Sequence, residues 1–198
     1  MIAIVDYGIG NLRSVQKALE YIGLEGIITS DKELILNSQG IILPGVGAFP
    51  DAMDNLKAQG LDLILKGAKE ANKPILGICL GMQLLFDESD EIRLCQGLGF
   101  IPGKIKKLYG GVKIPHMGWN TITGLKSSLF DDSIEGEYCY FVHSYYATTG
   151  ADTAAVCCYP EPFSAALQKD NFYAVQFHPE KSGKIGAKIL ENFIHLKI

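Results

Sequence analysis

Residues 74–85 read PILGICLGMQLL, an apolar strand that runs through a single cysteine, flanked by glycines, into a helical pattern. Ile75, Leu76 and Ile78 lead in as strand residues, and Met82, Leu84 and Leu85 continue as a helix. Gly77 and Gly81 remove side chains that would clash in so sharp a strand-to-helix turn, which is the pattern of a nucleophile elbow. The turn sets Cys79 at a helix N-terminus, where unpaired backbone N–H groups and the helix dipole favour thiolate over thiol. A lone cysteine in apolar sequence equally suits a buried small hydrophobe, so the rest of the chain must choose.

Outward from the elbow, residues 2–5 form a short apolar run and residues 8–11 a turn. Leu12, Val15, Leu19 and Ile22 then share one helical face that Gly23 ends. The apolar run 41–43 stops at Pro44-Gly45, and helical patterns follow over 52–56 and 61–71. Strands alternating with helices predict an α/β fold with a largely parallel central sheet covered on both faces. The second half reads differently, with strand-like runs at 104–108, 138–142, 154–158, 164–167 and 172–177. Their close spacing predicts antiparallel additions to that sheet. A last helix, capped by Ser182, carries Ile185, Ile189, Phe193 and Leu196 on one side. No repeat, low-complexity tract or linker interrupts the chain, and one domain over residues 1–198 is expected.

A chain of 198 residues, 47% apolar and 20% charged, can bury a full core without staples. Its net charge of -4 offers no handle to nucleic acid or to an anionic membrane surface. Five cysteines, two of them adjacent at Cys157 and Cys158, do not form a disulfide framework; a reducing cytoplasm suits them. The opening MIAIVDYGIGN has neither the basic flank nor the apolar length of a signal peptide, and no later stretch approaches a membrane span. Paired C-x-x-C spacing is missing, and His116, His143, His178 and His195 are scattered, so neither a metal nor an organic cofactor is expected.

Ligands of open α/β sheets gather beyond the carboxyl ends of the strands. Three strand ends stand out: PGVGAF after Leu43, Cys79 after Ile78, and His178-Pro179-Glu180 after Phe177. A thiol nucleophile needs a base, and the base gains from a carboxylate that fixes its tautomer and orientation. His178 and Glu180 supply both from one turn, stiffened by Pro179. Taken singly, His178 fits a satisfied strand-end histidine and Glu180 a solvated turn charge; jointly with the elbow they indicate acyl-transfer catalysis. The oxyanion that forms on attack needs donors, and the backbone N–H of Leu80 is one. A second comes from the Gly45-Val46-Gly47 loop at Val46, although PGVG also fits a simple strand-ending turn.

These segments resemble the class I (triad) glutamine amidotransferase family. The resemblance spans essentially the whole chain, with IVDYGIGNL, LPGVGAFPDAM, GICLGMQLL, PHMGWN, YFVHSYYA and QFHPEKSG in the family's order. PGVGAF and PHMGWN point to the branch formed by the glutaminase subunits of imidazole glycerol phosphate synthase. It implies a flavodoxin-like domain that hydrolyses L-glutamine through a glutamyl thioester on Cys79, with His178 as base then acid and Glu180 orienting it. Ammonia then passes to a separate (βα)8-barrel cyclase subunit of the HisF type, which makes imidazole glycerol phosphate and an aminoimidazole carboxamide ribotide in histidine biosynthesis. The same resemblance implies substrate contacts at Gly45, Gly47, Gln83 and the His143, Ser144, Tyr145 segment. Gln83 lies one helical turn beyond Cys79 and can face the same cleft, or can be a plain helix-surface residue.

By resemblance, Asn11, Met117, Trp119, Tyr138 and Lys181 face the cyclase subunit around the ammonia exit. Trp119, the only tryptophan, suits an interface anchor and a core anchor equally well. Tyr140, Phe141 and Val142 read as core strand residues. Two other functions use the same residues: ammonia supply to a different synthase, such as one amidating a nucleotide-linked sugar, and a cysteine peptidase on a similar scaffold.

Overall fold

The computed structural model describes residues 1–196. In chain order the first half holds β1 (Ile2–Val5), α1 (Leu12–Tyr21), β2 (Gly26–Thr29), α2 (Lys32–Asn37) and β3 (Gly40–Gly45). It continues with α3 (Phe49–Ala58), α4 (Leu61–Glu70), β4 (Ile75–Cys79) and α5 (Leu80–Leu84). The second half holds β5 (Phe86–Ser89), β6 (Cys95–Gln96), β7 (Ile101–Lys107), β8 (His116–Thr121), β9 (Tyr138–His143) and β10 (Tyr145–Tyr146). It ends with β11 (Thr153–Cys158), β12 (Pro162–Lys169), β13 (Phe172–Val175) and α6 (Gly183–Ile194).

Seven strands form the main sheet in the order β11-β12-β13-β4-β3-β1-β2. The run β2-β1-β3-β4-β13 is parallel throughout, the flavodoxin-like order, and β12 and β11 add to its edge antiparallel. The parallel strands are apolar on both faces because each face is covered. Along β1, Ala3 and Val5 pack with the residues of α3 and α4, while Ile2 and Ile4 pack with those of α1 and α6. Val15 and Leu19 of α1 are buried there, and Gly23, at φ 77°, turns the chain out of the helix.

Three expectations need correction. The runs near 104–108 and 138–142 do not join the main sheet; β7 belongs to a four-stranded sheet ordered β10-β7-β5-β6, and β9 pairs only with β8. The 172–177 run is antiparallel to β12 but parallel to β4, with Val175 opposite Ile78, so β13 is the last strand of the parallel series rather than an edge addition. Close spacing in sequence marks hairpin partners only when the connecting turn is tight. Ser182 stands at the first position before α6 but makes no capping bond; its hydroxyl donates to the His178 carbonyl instead, at 2.7 Å.

Candidate active site

The carboxyl ends of β3, β4 and β13 bring the site together. Cys79 ends β4 at φ 54°, ψ −109°, a conformation that costs a non-glycine residue about 1–3 kcal/mol and persists only where the surroundings impose it. Here they do. A Cβ on Gly81 would collide with the Leu43 carbonyl, and one on Gly77 would lie 2.9 Å from the backbone nitrogen of Met82. A Cβ on Gly45 would lie 2.6 Å from the Tyr7 hydroxyl, which itself donates to the Pro44 carbonyl at 2.8 Å. The glycines of both loops therefore serve close backbone approach, with α5 pressed onto the end of β3. The helix after the elbow is shorter than its apolar pattern suggests: α5 has 5 residues, because the chain turns into β5 at Phe86. One turn adds little macrodipole, so the electrostatics around Cys79 are set by its side-chain neighbours.

Those neighbours include His178, just beyond β13. Its Nδ1 lies 2.8 Å from Glu180 Oε1, with both side chains no more than 2% exposed. Nδ1 thus carries the proton toward the carboxylate, and Nε2 is left buried without a hydrogen-bond partner. Burial alone lowers the pKa of His178, yet the Cys79 sulfur and the Glu180 carboxylate outweigh it and carry it up to about 10. The arrangement favours the imidazolium form of His178. Cys79 Sγ has two further contacts, the Val142 carbonyl at 3.8 Å and the Gln176 side-chain nitrogen at 3.7 Å.

A cavity of about 390 Å³ opens over the sulfur, a size suited to one small molecule. Val46, Gly47, Leu80, Gln83, His143, Ser144 and Tyr145 line it with Cys79 and His178. Gly45 does not. As the last residue of β3 it is buried against Tyr7 and α5, which corrects its expected place at the substrate. Gln83 is buried, not on a helix surface; its NH2 group is spent on the Tyr145 carbonyl and on Gln176 Oε1, each at 3.0 Å, which leaves its Oε1 for a ligand. His143 is likewise committed, with Nδ1 at 2.9 Å from the Tyr145 carbonyl and Nε2 at 3.0 Å from His116. Only its main chain can meet a substrate.

Two groups at the site, Glu91 on the cavity wall and Gln176 buried behind the sulfur, are given no role by the motifs. Glu91 lines the cavity while one carboxylate oxygen accepts from the Phe49 N–H at 2.8 Å; nothing in its loop, SDEIRL, marks it. Burial raises its pKa. Gln176 did carry a signal, an amide within the apolar run FYAVQF two residues before His178. Val142, expected in the core, has its side chain half-buried on the outer face of β9 while its carbonyl reaches Cys79.

The residues expected at a partner divide into two places. In the β8–β9 ribbon, Met117 faces Val142, Trp119 faces Tyr140 and Thr121 faces Tyr138. Met117, Trp119 and Tyr138 are 56–60% exposed, so Trp119 is no core anchor. Its ring meets Tyr140 edge-on at 5.9 Å, and the ammonium of exposed Lys181 lies 5.7 Å from the centre of the same tyrosine ring. Asn11 is on another element, at the start of α1, where its side chain accepts from the Ser14 hydroxyl at 2.8 Å. Among the described residues no cluster of acidic, histidine or cysteine side chains could hold a metal, and no helix is long and apolar enough to cross a membrane.

A doubly wound sheet with a strained cysteine elbow, a buried His–Glu pair and a glycine loop at the cavity is an arrangement suited to a cysteine-dependent amide hydrolase. The profile described as "Glutamine amidotransferase class-I" matches residues 3–196, and the chain belongs to that family. Within it, the chain is 52% identical over 195 residues to the imidazole glycerol phosphate synthase subunit HisH of Bacillus cereus (strain G9842), covering 98% of this chain and 93% of the relative. The subunit of the same name from Bacillus anthracis is 50% identical over the same shares of the two chains. Among solved structures, a glutamine amidotransferase superposes with a TM-score of 0.77 at 16% identity, covering 98% of this chain and 97% of the other. PurLQS from Thermotoga maritima gives 0.75 at 20% identity, covering 97% and 96%. At these identities the two structures speak for the fold alone.

Proposed function

We propose that residues 1–198 act as one amidotransferase domain that hydrolyses L-glutamine to glutamate and ammonia and passes the ammonia to a (βα)8-barrel cyclase subunit in histidine biosynthesis. The observation that carries the reaction is that Cys79 and His178 line one cavity of amino-acid size, with Glu180 held against the far side of the His178 ring. The similarity to HisH subunits supports the destination of the ammonia.

The Cys79 thiolate attacks the side-chain amide carbon, and the oxyanion takes hydrogen bonds from the backbone N–H groups of Leu80 and Val46. Collapse of this intermediate breaks the C–N bond as the His178 imidazolium gives its proton to the leaving nitrogen, releasing ammonia. Neutral His178 then takes a proton from water, whose hydroxide oxygen attacks the thioester and frees glutamate. Glu180 keeps the ring in the tautomer both steps need. Gln83 Oε1 and the free oxygen of Glu91 are acceptors suited to the substrate's α-ammonium, while Gly47 and the main chain of Ser144 and Tyr145 hold its carboxylate end. The exposed face of Met117, Trp119 and Tyr138, with half-buried Tyr140 and exposed Lys181 beside it, suits the cyclase contact, and Asn11 extends that contact on α1. Gly47, at φ 91°, allows the Val46 peptide to reorient, so hydrolysis can be held low until the partner engages. Five free thiols suit a cytoplasmic setting.

Glutamate release by the purified chain, alone and with the cyclase subunit of an imidazole glycerol phosphate synthase plus its nucleotide ligand, tests this reading. Slow release alone and strong stimulation in the complex are expected, with all release lost in Cys79→Ser. A well-formed complex without stimulation would assign the ammonia to another synthase; no release under any condition would remove the glutaminase assignment.

A further inference from the structure

Gln176 is fully buried, touches the reactive sulfur and has no part in the triad. Which end of its amide faces Cys79 follows from one fixed point. The Tyr145 carbonyl can only accept, so Gln83, 3.0 Å away, must present its NH2 group there. The second hydrogen of that group points at Gln176, whose facing atom must then be the carbonyl oxygen, at 3.0 Å. That leaves the Gln176 NH2 directed at Cys79 Sγ, 3.7 Å away.

The fixed point is itself held. His143 Nδ1 lies 2.9 Å from the same carbonyl and must donate, so His143 Nε2 accepts, and His116 donates to it through Nδ1 at 3.0 Å. His116 Nε2 is left to accept from the Asn120 amide at 3.4 Å. Burial keeps both rings neutral, with pKa values pushed down to about 4 for His116 and about 3 for His143, so the direction of this chain persists at neutral pH.

We propose that Gln176 is a catalytic residue: its side-chain amide donates a hydrogen bond to the Cys79 thiolate, with its direction imposed by Gln83 and the Tyr145 carbonyl. The Val142 carbonyl, 3.8 Å from the same sulfur, can only accept, so it is a partner for the thiol hydrogen and offers nothing to a thiolate. His178 as imidazolium sides with Gln176, Glu180 acts through His178, and the Tyr7 phenol stays neutral because burial and the nearby sulfur raise its pKa. A donor from the fully buried side of the sulfur stabilises a thiolate more than it would in solvent.

The inference rests on Cys79 being the nucleophile, and the experiment separates the two. In the full chain, alkylation of Cys79 by iodoacetamide is followed against pH by the mass of its peptide, for the unmodified protein, Gln176→Met and Gln176→Glu, with thermal unfolding as the check on folding. Loss of one charge-assisted bond predicts labelling of Gln176→Met at neutral pH about tenfold slower, with the inflection of its pH profile moved upward. Gln176→Glu places a carboxylate against the sulfur while still accepting from Gln83, and its inflection moves further up. A purely structural role would lower the melting temperature and leave the inflection in place; an unmoved inflection in either folded variant overturns the proposal. Should neither variant fold, the side-chain amide resonances of the unmodified protein decide, since one of them must titrate together with Cys79. Glutamine hydrolysis surviving in Cys79→Ser would refute the nucleophile and leave the Gln176 effect on ionisation standing.

Discussion

At the carboxyl end of β4 the packing excludes every spare atom: Gly77 and Gly81 press against backbone, and Cys79, Gln83, Gln176 and His178 are all less than one-tenth exposed. Across the cleft, the β8–β9 ribbon pairs with nothing but itself and turns Met117, Trp119 and Tyr138 to solvent while burying His116, Cys139, Phe141 and His143 beneath. The first region is built to hold one geometry against strain; the second carries a surface of Met117, Trp119 and Tyr138 that no other described residue covers. They meet at β9, where the Tyr140 N–H donates to the Ser182 hydroxyl at 3.0 Å and its carbonyl accepts from the His178 N–H at 2.9 Å. Machinery and surface are thus separate in burial yet joined through the main chain. A change confined to one region should show in its own observable and spare the other's.

Glu180→Gln should give the largest effect on that contrast. Without the carboxylate, His178 loses its tautomer and part of its charge stabilisation, and glutamine turnover should fall about 10³-fold or more, read as kcat for the stimulated complex. The stability profile should change as well. The pKa of His178 is raised from 6.5 to about 10, so its contribution is complete below pH 6.5 and drains away as pH climbs toward 10. Melting temperatures across that window should therefore fall more steeply for the unmodified chain than for Glu180→Gln; parallel profiles would deny the pairing.

Gly81→Ala attacks the same region through packing. Its Cβ meets the Leu43 carbonyl, which is backbone and cannot swing aside, so a loss of about 3 kcal/mol is expected in denaturant unfolding. A stable, active Gly81→Ala would mean the elbow is looser than its contacts imply.

On the ribbon, Trp119→Ala should weaken binding to the cyclase subunit about 30-fold, the scale of a hot-spot residue, while stability stays within about 0.5 kcal/mol. Unchanged affinity and unchanged stimulation would remove the ribbon from the interface. The smallest effect belongs to the histidine pair under it. His116 and His143 have pKa values depressed to about 4 and about 3 from 6.5, so the stability they confer is present above pH 6.5 and is lost as pH falls through those values. His116→Phe keeps the stacking between Phe141 and Tyr159 but removes one of the two titrations. The acid limb of its stability profile should be shallower by about one proton's slope, measured by melting between pH 6.5 and pH 4.

The parallel half of the fold could be read from local pattern, because an apolar strand followed by a face-periodic helix has few other ways to bury itself. Cys79, with glycines on both sides, and His178-Pro179-Glu180 announced the acyl-transfer site because their spacing is dictated by a turn within a few residues. The short strands β2, β5 and β6 and the helix α2 escaped notice, since two to six residues carry too little periodicity. So did the separation of β8–β9 from the main sheet, a matter of long-range pairing. Glu91 and the buried bonding of Gln83 and His143 were equally hidden, because what a carboxylate, an amide or an imidazole touches here depends on neighbours 27 to 93 residues away.

The sequence by itself determined which residues are the candidates for chemistry, how the parallel strands alternate with helices and which family the chain resembles, all of which follow from short-range spacing and backbone geometry. Only the tertiary structure decided that Gly45 is packed away, that Trp119 is exposed, and that the Gln176 amide is turned toward the Cys79 sulfur. Burial and hydrogen-bond direction are set by what distant segments bring to the same point, and no local pattern encodes them.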